Sequence, residues 1–121
     1  MIIMLVDDEP VSRTMLAEFL SKIGNRVIEC IDADQALRIF PTEDFNMIIS
    51  DYKMPGTNGL ELLHNIRNLP GGQDVHIVIY TAENINPLII KAEKDQAFSV
   101  LLKPISIYDL IDIVEKVKRQ R

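Results

Sequence analysis

The sequence predicts an open α/β sandwich of three layers, with a five-stranded parallel sheet between two layers of helices, as one domain over residues 1–121. Three observations carry this. Five short, near-continuous apolar runs recur along the chain, each of strand length and rich in β-branched residues. Helical apolar patterns alternate with them; strands apolar on both faces belong to a sheet covered on both sides, and parallel neighbours need the crossovers that helices supply. Finally, 121 residues and 13.8 kDa suit a single domain, which at this size buries about 67% of the unfolded chain's surface.

The elements follow in order. Ile2–Val6 is the first strand; Pro10, suited to a first helical turn, opens a helix with apolar positions Val11, Met15, Phe19, Leu20 and Ile23, and Gly24 stops it. Arg26–Ile31 is the second strand, and Asp32 caps a helix carrying Ala33, Ala36, Leu37 and Phe40. Phe45–Ser50 leads to the helix of Leu60, Leu63 and Ile66, with Leu62 and Leu69 beside them. Val75–Tyr80 leads to a fourth helix with Ile85, Leu88, Ile89 and Ala92, Pro87 in its first turn. Ser99–Leu102 is the last strand, and Ser106 caps the helix of Ile107, Leu110, Ile111, Val114 and Val117. The spacings of three and four residues are those of one buried helical face. No repeat or low-complexity tract interrupts the pattern, and the terminal KVKRQR suits a helix end, where basic residues complement the dipole, or the stub of a linker.

Composition removes several classes. A single Cys30, read as a small buried hydrophobe of the second strand, excludes a disulfide scaffold. Apolar runs stay far short of the roughly 18 residues of a membrane span, and the N-terminal MIIMLVDDE has no basic segment of a signal peptide. A cytoplasmic protein without membrane contact is expected. With 13 Lys and Arg against 18 Asp and Glu, the net charge of -5 argues against direct nucleic-acid binding, which needs a basic surface.

The acid is concentrated. In an open parallel sheet, function collects at the carboxyl ends of the strands, and the residues standing there are Asp7, Asp8 and Glu9 after the first run, Asp51 after the third, Thr81 after the fourth and Lys103-Pro104 after the fifth. Carboxylates about 4–5 Å apart repel by roughly 3–4 kcal/mol per pair at an effective dielectric near 20. Lys103 alone cannot balance three of them, so a hard divalent cation with oxygen ligands, Mg2+, is expected. A solvated helix start explains Asp7 to Glu9 taken alone, but not the convergence of Asp51, Thr81 and Lys103 on the same edge. Carboxylates, a hydroxyl, an ammonium and a metal around one apical carboxylate equip a site for phosphoryl transfer, with Asp51 as the nucleophile.

At this point the chain resembles the receiver domain of bacterial two-component response regulators over essentially its whole length, through VDDEP (Val6 to Pro10), SDYKMPGTNG (Ser50 to Gly59), YTA (Tyr80 to Ala82) and LLKP (Leu101 to Pro104). The resemblance implies a flavodoxin-like, doubly wound sheet of order 2-1-3-4-5 with five helices. It implies that Asp51 accepts a phosphoryl group from a phosphohistidine on a sensor histidine kinase or a histidine phosphotransfer protein, with Mg2+ required. Asp8 and Asp51 would bind the metal directly with the Lys53 carbonyl, and Asp7 through water or as a second ligand. Thr81 and Lys103 would contact phosphoryl oxygens, and a cis bond before Pro104 would aim Lys103 inward. The protein would not be an enzyme in the ordinary sense, although it would assist its own phosphorylation and dephosphorylation.

Several residues read more plainly. Glu9 suits a helix-opening acid; Met54, Pro55, Gly56 and Gly59 shape the loop after Asp51; His64 and His76 lie outside the strand-end set. The chain also departs from the family. The position three before Lys103, usually Tyr or Phe, is Val100, whose β-branched side chain lacks the lever of an aromatic switch. Switching would then rest on the loop through Thr81, Ala82 and Glu83 and on the fourth helix. Lys53 and Glu83, each two residues beyond Asp51 and Thr81, flank the path of an attacking water and would pair across it. Ile90 and Tyr108, off their helical stripes, mark the face of helix 4, strand 5 and helix 5 as a surface for a target or a homodimer.

Two other functions compete. A pseudo-receiver would bind partners without phosphorylation, a reading sustained by Val100. A Mg2+-dependent aspartyl-phosphate phosphohydrolase would need its nucleophile after the first strand and a cap domain, against the Asp7-Asp8-Glu9 found there. The sequence leaves open a single-domain regulator or a receiver cut from a longer protein.

Overall fold

The structure, a computed structural model, describes residues 1–82, 87, 91–92 and 95–120. Its strands are β1 (Ile2–Val6), β2 (Arg26–Cys30), β3 (Met47–Asp51), β4 (His76–Thr81) and β5 (Ser99–Leu102). All pair in parallel in the order β2-β1-β3-β4-β5, the expected one. The strand ends shift slightly: Asp51 and Thr81 lie within β3 and β4 as their last residues, because Asp51 stays in register with Tyr80 and Thr81 with Leu102.

Helices α1 (Pro10–Lys22), α2 (Ala33–Ile39), α3 (Gly59–Arg67) and a C-terminal helix (Ile107–Arg119) are the four continuous α-helices among the described residues. Five were expected. The fourth predicted helix falls mostly outside the described residues, of which Pro87, Lys91 and Ala92 are helical. Ile90 and Glu83 also fall outside them.

The helix starts follow from their caps. Glu9 caps α1 by accepting from the Val11 and Ser12 N–H groups, with Pro10 as the first helical residue. Asp32 accepts from Gln35 N–H and Ser106 from Asp109 N–H, as the sequence predicts. Asn58 and Glu61 form a reciprocal capping box at α3. Gly24 ends α1 at φ +99°, a left-handed conformation that favours glycine.

Alternation along the strands splits the core in two. Met4, Val6, Ile48, Ile77 and Ile79 face α2 and α3 with Ala36, Leu62 and Ile66. Ile3, Leu5, Met47, Ile49, Val78 and Tyr80 face α1 and the C-terminal helix with Ala17, Leu20, Leu110, Val114 and Val117. Cys30 lies wholly buried in the first of these cores, where burial pushes its thiol up to about 11.

Two helical stripes differ from their expected course. In α1, Val11 and Met15 are 65% and 66% exposed, and contact with the sheet is made by Leu16, Ala17, Phe19, Leu20 and Ile23. In the C-terminal helix, Ile107 and Ile111 are exposed and Ile113 is buried in their place. Val11 and Met15, and Ile107 and Ile111, each pair four residues apart, thus lie on the solvent side of their helices.

This assignment predicts opposite outcomes for two α1 substitutions. Leu20→Ala should cost about 2–5 kcal/mol, as large-to-small changes in a packed core do. Met15→Ala should stay within about 0.5 kcal/mol, as at an open surface site. Urea unfolding of the two variants measures both.

Candidate functional site

The strand order reverses between β1 and β3, and the crevice at such a point lies beyond the strands' carboxyl ends. Asp7 follows β1 there and Asp51 ends β3. Carboxylate oxygens of Asp7, Asp8 and Asp51 all lie within 4.8 Å of one another, with Asp7 and Asp51 buried and Asp8 exposed. The edge thus gathers the acids that the sequence placed on it.

The compensating groups come from every neighbouring element. Lys103 Nζ lies 3.0 Å from Asp51 Oδ1. Its backbone is tied in as well, Lys103 N–H donating to the Thr81 carbonyl at 2.7 Å, and the Lys103-Pro104 peptide bond is cis. Asp7 Oδ1 accepts from Glu9 N–H at 2.9 Å, and the Asp7 carbonyl accepts from the Arg13 guanidinium at 2.9 Å. Arg13 is itself held by Glu29 at 3.0 Å.

Burial raises the Asp51 carboxyl above its ordinary value; Lys103 opposes that rise by hydrogen bond and charge, while the Asp7 and Asp8 charges add to it. The direction is set first by burial, which outweighs the pull of the one ammonium.

Close backbone packing holds the loop after β3. Tyr52 N–H donates to the Tyr80 carbonyl at 2.9 Å and Gly59 N–H to the Tyr52 carbonyl at 2.7 Å. A Cβ on Gly59 would lie 2.5 Å from the Asp51 carbonyl oxygen, so glycine is needed for the approach. The buried Met54 anchors the loop, and Gly56 turns it at φ +76°. Lys53 is exposed in this loop, two residues beyond Asp51.

Thr81 is buried at the end of β4 and Ala82 is exposed beside it. Val100 is half-buried and packs on the α3 side of the sheet. His64 lies away from the site, 3.2 Å from Asp95, and His76 stands edge-on to Phe98; neither joins the site, as expected. Tyr108 is 83% exposed.

One side chain in contact with the site was not singled out from the sequence. The Tyr80 hydroxyl donates to Asp7 Oδ2 at 2.5 Å, and Lys103 Nζ lies over its ring, 4.8 Å from the centroid. Burial, and then the bond to Asp7, push the phenol far above its ordinary value, so it stays a donor. The signal was present: Tyr80 brings a hydroxyl to the end of an otherwise aliphatic run, and a buried tyrosine hydroxyl usually finds a partner. Beside it opens a cleft of about 470 Å³, lined by Met15, Leu16, Tyr80, Lys103, Pro104 and Ile105 among others.

An acidic crevice at the switch point, a lysine paired to its central carboxylate and a buried threonine on the next strand define a phosphoacceptor class of α/β domain. The chain belongs to the response regulator receiver domain family, whose model matches residues 3–115. It is 28% identical over 116 residues to a probable chemotaxis protein CheY of Rhizobium etli, covering 95% of this chain and 90% of that protein. It is 31% identical to the DNA-binding transcriptional regulator NtrC of Azospirillum brasilense, covering 94% of this chain but only 23% of that protein. Chemotaxis protein CheY4 of Vibrio cholerae superposes with a TM-score of 0.91 at 26% identity, over 96% of this chain and 97% of the other. Response regulator TrrA of Thermotoga maritima, solved in complex with Mg(2+)-BeF, superposes at 0.84 with 28% identity, over 96% and 97%.

The raised Asp51 carboxyl carries a pH-dependent consequence. With the folded value of Asp51 above the unfolded one, the ionised carboxylate lowers stability at neutral pH, and this loss vanishes as pH falls below the unfolded value. In EDTA, Asp51→Asn should therefore unfold at a higher temperature than the wild type at pH 7, and the gap should close towards pH 3. Calorimetric melts across that range check the sign.

Proposed function

We propose that this chain is a single receiver domain over residues 1–121 in which Asp51 accepts a phosphoryl group from a phosphohistidine on a sensor histidine kinase or a histidine phosphotransfer protein. The observation that carries the reading is the 3.0 Å pairing of Lys103 with Asp51 inside a cluster of three carboxylates.

The donor set fits Mg2+, which prefers oxygen ligands and keeps several waters. Asp8, Asp51 and the Lys53 carbonyl would hold the ion, with Asp7 acting through water or as a second ligand. When bound, it neutralises charge on the carboxylates and on the phosphoryl oxygens.

An Asp51 carboxylate oxygen attacks phosphorus in line. The new O–P bond forms as the P–N bond to the donor histidine breaks, and the electron pair returns to an imidazole that leaves neutral, its other nitrogen carrying a proton. Lys103, already beside Asp51, follows the charge onto the phosphoryl oxygens, and the Thr81 hydroxyl donates to another. Hydrolysis reverses the outcome: a water oxygen attacks phosphorus, the Asp51 carboxylate is restored, and inorganic phosphate leaves as a proton passes to solvent. Lys53 and Glu83, each two residues beyond a site residue, govern access of that water.

The phosphorylated state acts through the surface of helix 4, strand 5 and helix 5, towards a target or a second copy of the chain. With Val100 in the position of the usual aromatic, the loop of Thr81, Ala82 and Glu83 transmits the change, and Pro104 fixes Lys103. No helix among the described residues is long and apolar enough to cross a membrane, and the net charge of -5 argues against direct nucleic-acid binding. We place the protein in the cytoplasm.

Incubation with acetyl phosphate and Mg2+, followed by intact mass, should show one phosphoryl adduct, absent in Asp51→Asn and in EDTA. Thr81→Ala and Lys103→Ala should each slow its formation by at least roughly 10-fold, the scale of losing one positioned electrostatic contact. A wild type that takes no adduct would instead be a phosphorylation-independent interaction module, and steady turnover of phosphate monoesters would make it a hydrolase.

A further inference from the structure

We infer that Tyr80 is a positioning residue of this site, orienting Asp7 through its hydroxyl and Lys103 through its ring; the inference rests on the phosphoacceptor reading above. Four observations converge on it. Tyr80 is 1% exposed, so its side chain has one place to be. Its hydroxyl donates to Asp7 Oδ2, while Asp7 Oδ1 is already taken by Glu9 N–H and the Asp7 carbonyl by Arg13. Both carboxylate oxygens of Asp7 are thereby fixed, whereas the neighbouring Asp8 is exposed. Lys103 Nζ rests 4.8 Å from the ring centroid while it pairs with Asp51, within the range of a cation–π contact.

One side chain thus touches both the acidic and the cationic members of the site. Packing alone does not need the hydroxyl, because phenylalanine fills the same volume. An aliphatic residue, like Ile77, Val78 and Ile79 before it, would supply neither contact. Partners that hold a ligating carboxylate in place raise metal affinity by fixing its orientation before the ion arrives.

The two contacts are separable. Tyr80→Phe keeps the ring and removes the donor, so by isothermal titration its Mg2+ dissociation constant should rise about 10-fold, with the acetyl-phosphate rate at saturating Mg2+ close to wild type. Tyr80→Leu removes both, and should add a several-fold slower rate at saturating Mg2+. In an Asp7→Asn background, Tyr80→Phe should change Mg2+ affinity no further. Wild-type protein supplies a readout independent of any variant's folding: Mg2+ should perturb the near-ultraviolet tyrosine absorbance, and Asp7→Asn should remove most of that change.

Unchanged Mg2+ affinity in Tyr80→Phe, an equal loss with and without Asp7, or a tyrosine spectrum that Mg2+ leaves unmoved would overturn the inference and leave the phosphoacceptor reading intact. A wild type that binds no Mg2+ would overturn both.

Discussion

Three carboxylates held within 4.8 Å of one another at a largely buried sheet edge are the constraint to which the surrounding structure answers. Such a group raises the energy of the fold unless donors and cations surround it. The chain meets that demand from nearly every element at the edge. The start of α1 sends Glu9 N–H and Arg13 to Asp7, β4 sends the Tyr80 hydroxyl, and the segment after β5 sends Lys103 to Asp51. Burial still holds the Asp51 carboxyl above its ordinary value, against the pull of Lys103. Carboxylates this close suit a hard cation, which would offset their mutual repulsion.

The backbone fixes where the constraint falls. Parallel pairing in the order β2-β1-β3-β4-β5 brings the carboxyl ends of β1 and β3 side by side, so acids distant in sequence share one crevice. The packing behind it leaves little slack. Gly59 has no room for a Cβ against the Asp51 carbonyl, and the Tyr52 amide is bonded to β4. The loop that carries Lys53 therefore starts from a fixed Asp51 and ends at a fixed helix cap.

Much of this was legible in the sequence, for reasons that differ by residue. Asp7, Asp51, Thr81 and Lys103 could be placed on one edge because each stands at the end of an apolar strand, and strand ends converge whatever the side-chain details. Glu9 and Ser106 could be read as helix starts because capping is local. Val11, Met15, Ile107 and Ile111 were misplaced because apolar residues on a neighbouring helical face fit the same three- and four-residue spacing, and the core takes Ala17 and Leu20, or Leu110, Ile113 and Val114, instead. Tyr80 escaped notice because its role depends on a partner 73 positions away. A strand pattern records a tyrosine as one more large residue.

Tyr80 and Val100 together bear on how a change at the site could reach the surface. Adjacent strands put them on opposite faces of the sheet: Tyr80 in the core beneath α1 and the C-terminal helix, Val100 against the α3 side, in register with Ile79. A valine there has few rotamers and no reach. A tyrosine wholly enclosed by close-packed neighbours cannot swing without opening a void, and its hydroxyl is committed to Asp7. Neither side chain can act as a rotating lever between site and surface. What joins Asp51 to the last strand is instead short and direct: the Lys103 ammonium on the Asp51 carboxylate, and the Lys103 amide on the Thr81 carbonyl at 2.7 Å. On the proposed phosphoacceptor reading, a charge added at Asp51 would be felt by the Lys103 ammonium, and through the Lys103 amide by Thr81 and the loop that follows it.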